Sequence, residues 1–308
     1  MGSENDLELS SDLPRPILDA ESVIVMVSAS GITTADYRNL MTAGPPPLYQ
    51  MRLVLPVPIV VGIEYAGTIV EVGSNVKGFA VGDQVYGCKG IDGHGTFAEY
   101  VAIHPTKHVI HQRPDSVPVN VAALHAHGLS LTDKPGQKSV LVLAADSDIG
   151  VWAVKISKRL GAVVTVVVGT HRRKFAESVG ADHVYESANL VAGKFDILFD
   201  AKGEDEQGSH WALSQRVLKA FGLYTFSEVL SGENVVTKKL KRTFASTITY
   251  SPATFLFDVA RASTQIAEWL ADGSITGIPV TIISFEDAKE VHLKRAAGEI
   301  AGKSVLLL

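Results

Sequence analysis

Val140-Leu-Val-Leu-Ala-Ala-Asp-Ser-Asp-Ile-Gly150 is the stretch on which the fold turns. Its first four residues are a short all-apolar run, as expected of a strand covered on both faces. From Asp148 to Leu160 the apolar residues Trp152, Ile156 and Leu160 recur at helical spacing, and Gly161 ends the run. The alternation continues with a strand at Val163–Val168, a helix near Arg172–Ser178, a strand at Phe195–Phe199 and a helix near Trp211–Leu218. Strands and helices alternating in this way imply a parallel sheet with right-handed crossovers.

Upstream the texture differs. From Leu7 to about Arg113 short β-type runs alternate with turns: Val23–Val27, Thr68–Val72, Asp83–Tyr86 and Phe97–Val101. Gly44-Pro-Pro-Pro47 cannot extend a helix or a sheet ladder, because three prolines remove three backbone donors. This half predicts an irregular β barrel or partly open sheet. Downstream, a helix is expected near Phe255–Leu270 and a last strand at Lys303–Leu308. The fold class is therefore α/β, with a β domain beside a doubly wound parallel sheet.

Composition narrows the partners. The 308 residues carry 28 basic and 33 acidic side chains, a net charge of −5, so nothing favours nucleic acid. No run of 18 apolar residues occurs, and the acidic N-terminus lacks an apolar signal-peptide core. A soluble cytoplasmic protein without a membrane partner is expected. One cysteine, Cys88, excludes an intrachain disulfide framework and any four-cysteine zinc site within the chain. The pair His125-x-His127 lacks a third ligand, and His104, His108 and His111 lie in an extended stretch that cannot converge on one metal.

Gly62-Ile-Glu-Tyr-Ala-Gly-Thr-Ile-Val-Glu-Val-Gly73, then Val76-Lys-Gly-Phe79 and Val81-Gly-Asp-Gln-Val-Tyr86, resembles the medium-chain dehydrogenase/reductase superfamily. Gly95-Thr-Phe-Ala-Glu-Tyr100, Lys134-Pro-Gly-Gln137 and Gly302-Lys-Ser-Val-Leu-Leu-Leu308 resemble its zinc-independent quinone oxidoreductase and enoyl reductase branch. The resemblance implies a GroES-like β domain from residues 1–117 and 248–308, carrying the substrate site. Residues 118–247 would form a Rossmann-type nucleotide-binding domain, with the active site in the cleft between the two. Zinc-dependent members carry Gly-His-Glu where this chain has Gly62-Ile63-Glu64, and isoleucine ligates no metal. No metal site is expected.

The nucleotide turn departs from the family. Relatives are glycine-rich there, because a diphosphate must approach backbone N–H groups at a helix N-terminus. This chain reads Ala144-Ala-Asp-Ser-Asp-Ile-Gly150. Gly150 survives, with helix–strand packing as its expected task, and Asp146 and Asp148 put carboxylates beside an anionic ligand. Each unscreened like-charge contact about 4 Å apart costs roughly 4 kcal/mol at an effective dielectric near 20. Asp146 or Ser147 is also an expected helix N-cap. At the end of the next strand, Thr170 and the cluster Arg172, Arg173 and Lys174 suit a 2′-phosphate, and no acidic residue is present for a ribose 2′-OH. The expected cofactor is NADPH, held by Ser147, Gly150, Thr170, Arg172, Arg173 and Lys174.

Other changes surround the expected cleft. Thr33 stands where relatives often carry asparagine, Ala123–Ser130 replaces their usual Ala-Leu-Pro-x-x-Gly-Leu-Thr segment, and the family's customary first strand has no counterpart. Two functions fit. The first is a zinc-independent, NADPH-dependent reductase of an activated C=C bond (enone, quinone or enoyl thioester), with Tyr37, Tyr65 and His125 as polar groups beside the reacting carbons. The second is a cofactor-independent isomerase or cyclase, or a non-catalytic paralogue, in which Asp146, Asp148, His125 and His127 would serve acid–base chemistry. The implied partner is a small-molecule substrate, with a homodimer as in other members.

Overall fold

A computed structural model describes residues 7–33, 36, 60–89, 94–113, 138–202, 209–226, 249–252, 266, 268–297 and 299–308. Tyr37, Gly44–Pro47, Ala123–Ser130 with His125 and His127, Lys134–Gln137 and most of the helix expected near Phe255–Leu270 lie outside them. Five strands come first: β1 (Val23–Ile32), β2 (Glu64–Val72), β3 (Gln84–Cys88), β4 (Tyr100–Ile103) and β5 (Val109–Gln112). Strands and helices then alternate: β6 (Ser139–Leu143), α1 (Asp148–Arg159), β7 (Val163–Val167), α2 (Arg173–Ser178), β8 (His183–Tyr185), β9 (Phe195–Asp200), α3 (Ser209–Val217) and β10 (Leu218–Phe226). β11 (Thr249–Pro252), β12 (Val280–Ser284), α4 (Ala288–Ala296) and β13 (Lys303–Leu307) follow.

Two units emerge: Met1–Gly128 with Ser263–Gly273 and Pro279–Leu308, and Leu129–Ala262 with Ser274–Ile278. The first holds a seven-stranded sheet in the order β12-β13-β1-β2-β3-β5, with β4 also paired to β1. The C-terminal strand β13 runs antiparallel to β1, setting Ala29 against Leu307 and Ile32 against Ser304, so both ends of the chain build this sheet. Side chains alternate across a strand. Val23, Val25 and Val27 accordingly share one core with Tyr65, Ile69, Val85, Val101 and Ile103. A second cluster joins Ile32, Phe97, Ile283, Val291 and Leu306.

The second unit holds a six-stranded parallel sheet in the order β8-β7-β6-β9-β10-β11. Its order reverses between β6 and β9, the topological switch point of a doubly wound sheet. Residues Val140 to Leu143 of β6 are all buried, as their unbroken apolar run predicts. Leu141 and Leu143 pack with Leu198, Leu213, Val217, Tyr224 and Phe226. Burial of each large apolar side chain contributes roughly 1.5–3 kcal/mol. Helix α1 buries Trp152 and Ile156 as its spacing predicts, with Ser147 as N-cap, Lys158 and Arg159 in the last turn, and Gly161 just beyond at φ 80°. Strand β11, at Thr249–Pro252, pairs with β10 in this sheet.

Candidate functional site

In the second unit the chain leaves β6 through Ala144, which adopts φ 52°. Left-handed backbone costs an L-residue roughly 1–2 kcal/mol, which is why glycine is the usual occupant of such a position. The turn thus keeps a glycine-type path after losing the glycine. Ser147 donates its backbone N–H and its hydroxyl to Ala144 O, at 3.0 and 2.7 Å. Gly150 closes the turn: a Cβ there would come within 2.2 Å of Ala144 O, so only glycine lets helix α1 sit this close to the strand end.

The first-turn donors of α1 are already engaged. Gly150 N–H bonds Ser147 Oγ at 3.0 Å, and Ile149 N–H bonds Asp148 Oδ1 at 2.9 Å. Ser147 is therefore the N-cap foreseen as one alternative, and Asp148, 5% exposed, is buried beneath the turn. The second carboxylate, Asp146, lies 4.0 Å from Arg172 Nε, both side chains being about a quarter to a third exposed (26% and 30%). An anionic ligand would reach the N–H groups of residues 149 and 150 only by displacing these two side-chain oxygens, at a cost of about 1 kcal/mol each.

The strand β7 end divides its cations. Arg173 Nε lies 3.3 Å from Glu186, and its guanidinium donates to Val184 O at 3.0 Å, so it ties α2 to β8. Thr170 and Lys174 are exposed, and Arg172 faces the turn through Asp146. Of the expected phosphate ligands, the structure brings Arg172 to the nucleotide turn and directs Arg173 elsewhere.

The first unit holds a buried charge cluster. Lys303 Nζ lies 2.7 Å from Glu64 Oε2, the two side chains being 4% and 1% exposed. Gly31 makes room for the pair, since a Cβ there would fall 2.0 Å from that same oxygen. Beside them Asp36 Oδ2 accepts bonds from Thr33 N–H at 2.6 Å and Thr33 Oγ1 at 2.7 Å. Burial pushes the Asp36 carboxyl up to about 6, helped by the Glu64 charge and opposed by Thr33 and Lys303. Ile63, at the position of a zinc-ligating histidine in zinc-using relatives, is buried hydrocarbon. No set of three His, Cys, Asp or Glu converges on a metal position among the described residues. Ile63 itself offers no donor atom to a metal ion.

Tyr65 occupies the core of this unit. Its ring is wholly buried, and its hydroxyl donates to Val109 O at 3.1 Å. Burial raises it well above the ordinary tyrosine range. Tyr37 and His125 are outside the described residues.

One group at the carboxyl edge of the parallel sheet escaped the sequence. Asp200, at the end of β9 and in register with Leu143 of β6, is fully buried and 2.7 Å from His210 Nδ1. They stand ten positions apart with no motif between, so only the fold brings them together.

Two family models match the chain. Residues 19–115 match the alcohol dehydrogenase GroES-like domain, and residues 179–306 match the zinc-binding dehydrogenase domain. The chain is similar to a 2-methylene-furan-3-one reductase of Solanum lycopersicum, 27% identical over 67% of this chain and 56% of that protein. It is 26% identical to an NADPH-dependent alkenal/one oxidoreductase of Arabidopsis thaliana, over 66% of this chain and 55% of that protein. The match thus spans about half the length of these curated relatives. The quinone oxidoreductase of Coxiella burnetii shares the fold with a TM-score of 0.82, covering 100% of this chain and 96% of that one at 21% identity.

Proposed function

Because this chain belongs to the medium-chain dehydrogenase/reductase superfamily, we propose that it is a zinc-independent, NADPH-dependent reductase of an activated C=C bond. The substrate class is an enone, a quinone or an enoyl thioester. The observation that carries the reading is the turn after β6. Ala144 at φ 52° and the close approach at Gly150 preserve a phosphate-accepting path at a helix N-terminus on the carboxyl side of the switch point. The names of the tomato and Arabidopsis relatives support the substrate class, and the second of them supports NADPH. Buried Ile63 supports chemistry without zinc.

NADPH, when bound, supplies the hydride. Ser147 and Gly150 would line its diphosphate, and Thr170, Arg172 and Lys174 would surround its 2′-phosphate. An exposed ion pair is worth at most about 1 kcal/mol, so Arg172 can exchange Asp146 for a phosphate at little cost. Arg173 holds α2 against β8 and contributes charge alone. Action in the cytoplasm on a small molecule, as a homodimer without nucleic acid or membrane, completes the reading. No helix among the described residues is long and apolar enough to cross a membrane.

The experiment is NADPH oxidation, followed by nicotinamide absorbance, against cyclohexenone, a benzoquinone and a crotonyl thioester. Oxidation that depends on one of these acceptors and survives metal chelation supports the proposal. Absence of oxidation with all three at saturating NADPH contradicts it. A specific observation favours a second reading: Ser147 and Asp148 already cap the N–H groups a diphosphate would use. On that reading the fold serves a cofactor-independent isomerase or cyclase, and NADPH does not bind.

A further inference from the structure

At the amino edge of the parallel sheet, the edge opposite the nucleotide turn, strand β10 begins with a bulge. Leu218 pairs with Phe195 and Leu223 with Ile197, so residues 219–222 all stand against Asp196. Within the bulge Phe221 adopts φ 64° and is 84% exposed. A left-handed backbone disfavours a Cβ, and an exposed ring buries no apolar surface, so glycine would suit the fold better on both counts. Phe221 is not alone there. Arg216, in the last turn of α3, donates to Ala188 O at 2.9 Å and to Val191 O at 2.8 Å, which holds exposed Leu190 beside the helix end. Lys194 Nζ donates to Arg216 O at 2.8 Å and to Leu218 O at 3.4 Å. Both cations spend their donors on carbonyl oxygens, and no carboxylate among the described residues neutralises them. The patch is therefore apolar and basic.

The first unit carries a segment of the opposite character. Residues 8–17, Glu-Leu-Ser-Ser-Asp-Leu-Pro-Arg-Pro-Ile, belong to no strand or helix, and Pro14 and Pro16 lack the N–H that a ladder would use. Arg15 fastens the segment: its Nη2 lies 2.6 Å from Glu71 Oε1, and its guanidinium sits 4.2 Å from the centroid of the Tyr100 ring. Glu8 and Asp12 are exposed, and so are Leu9, Leu13 and Ile17. This arm is apolar and acidic. Arm and patch are each open in the single chain, although their charges and their apolar side chains are complementary.

We propose that residues 8–17 of one copy dock on the amino-edge patch of a second copy, and the reverse; this names the contact of the homodimer in the reading above and rests on that part of it. Leu9 and Leu13 cover the Phe221 ring and Leu190, while Glu8 and Asp12 face Arg216 and Lys194. One arm and one patch per chain satisfy both contacts under a two-fold axis, as a closed dimer requires. The aromatic ring is the anchor, and the charges set partner and register.

The test is sedimentation velocity of the full chain over a concentration series, with circular dichroism to show that each variant is folded. The wild-type protein is expected to be a dimer. Phe221→Gly removes the ring at a backbone conformation glycine prefers, and is expected to raise the dimer dissociation constant about tenfold or more. Glu8→Lys and Lys194→Glu are each expected to weaken the dimer, and the two changes together in one chain to restore part of the loss. NADPH oxidation is measured beside it and reads the reductase separately, since the nucleotide turn lies at the other edge of the sheet. A wild-type dimer unaffected by Phe221→Gly and Glu8→Lys overturns the proposal and leaves the homodimer standing on another surface. A wild-type protein that stays monomeric at high micromolar concentration overturns the proposal and the homodimer together, whether or not NADPH is oxidised.

Discussion

The two units handle charge in opposite ways. In the first, Glu64 and Lys303 meet at 2.7 Å with almost no exposure, and Asp36 titrates under the influence of both. In the second, Asp146 and Arg172 lie 4.0 Å apart and partly exposed at the edge of the nucleotide turn. Breaking a buried pair leaves an uncompensated charge in the interior, whereas an exposed pair contributes about 1 kcal/mol at most. The first set of charges is committed to the fold. The second is a long, partly exposed contact that contributes little to the fold.

The largest expected effect tests the committed set. Glu64→Gln removes the carboxylate 2.7 Å from the buried Lys303 ammonium, and the urea midpoint should reveal a loss of about 3–5 kcal/mol. Arg172→Ala, measured in the same way, should change stability by less than about 1 kcal/mol. Equal effects at the two positions would erase the distinction between the units.

Next comes pH. The Asp36 carboxyl is pushed up to about 6 in the folded chain, against 3.8 when unfolded, so between these values the native state holds the extra proton. Stability from this group is complete below pH 4 and is lost as the pH rises through about 6, by up to about 3 kcal/mol. Asp36→Asn should flatten unfolding free energy against pH in that window. A wild-type curve that rises through the window and is matched by the variant would contradict the assignment.

The smallest effects concern the turn. Gly150→Ala forces a Cβ against Ala144 O and should cost about 1–3 kcal/mol. Ala144→Gly relieves a left-handed alanine and should gain about 1 kcal/mol. Thermal unfolding of the two variants reads the opposite signs directly.

Strands β6, β7 and β9 and helices α1 to α3 were readable because each obeys a local rule, whereas β8, β10 and β11 carry no such run and enter the sheet by pairing alone. The apolar run of β6, the Trp152–Ile156 stripe and Gly161 all fall where their periodicity places them. Packing of Gly150 against the strand end was also readable, since a surviving glycine in a degenerate turn has few other tasks. Arg173 was not: its partner Glu186 lies beyond a helix and a strand, and only the β7–β8 pairing brings the two together. Tyr65 carries a polar handle that suggests chemistry, yet the alternation of β2 turns its ring into the core, where Val109 O takes the hydroxyl. Asp200 and His210 carry no motif. They become a pair only in the folded chain, where His210 Nδ1 lies 2.7 Å from Asp200 Oδ2.

The central claim is that the turn Ala144–Gly150 still accepts a dinucleotide although its glycines are gone. Calorimetric titration of the wild-type protein with NADPH and NADH, beside a variant carrying Asp146→Ser and Asp148→Gly, tests it most directly. Saturable binding of NADPH in preference to NADH, tightened about tenfold or more in the variant as like-charge repulsion is relieved, is the predicted result. No binding of either nucleotide at millimolar concentration, by the wild-type protein or the variant, would contradict it.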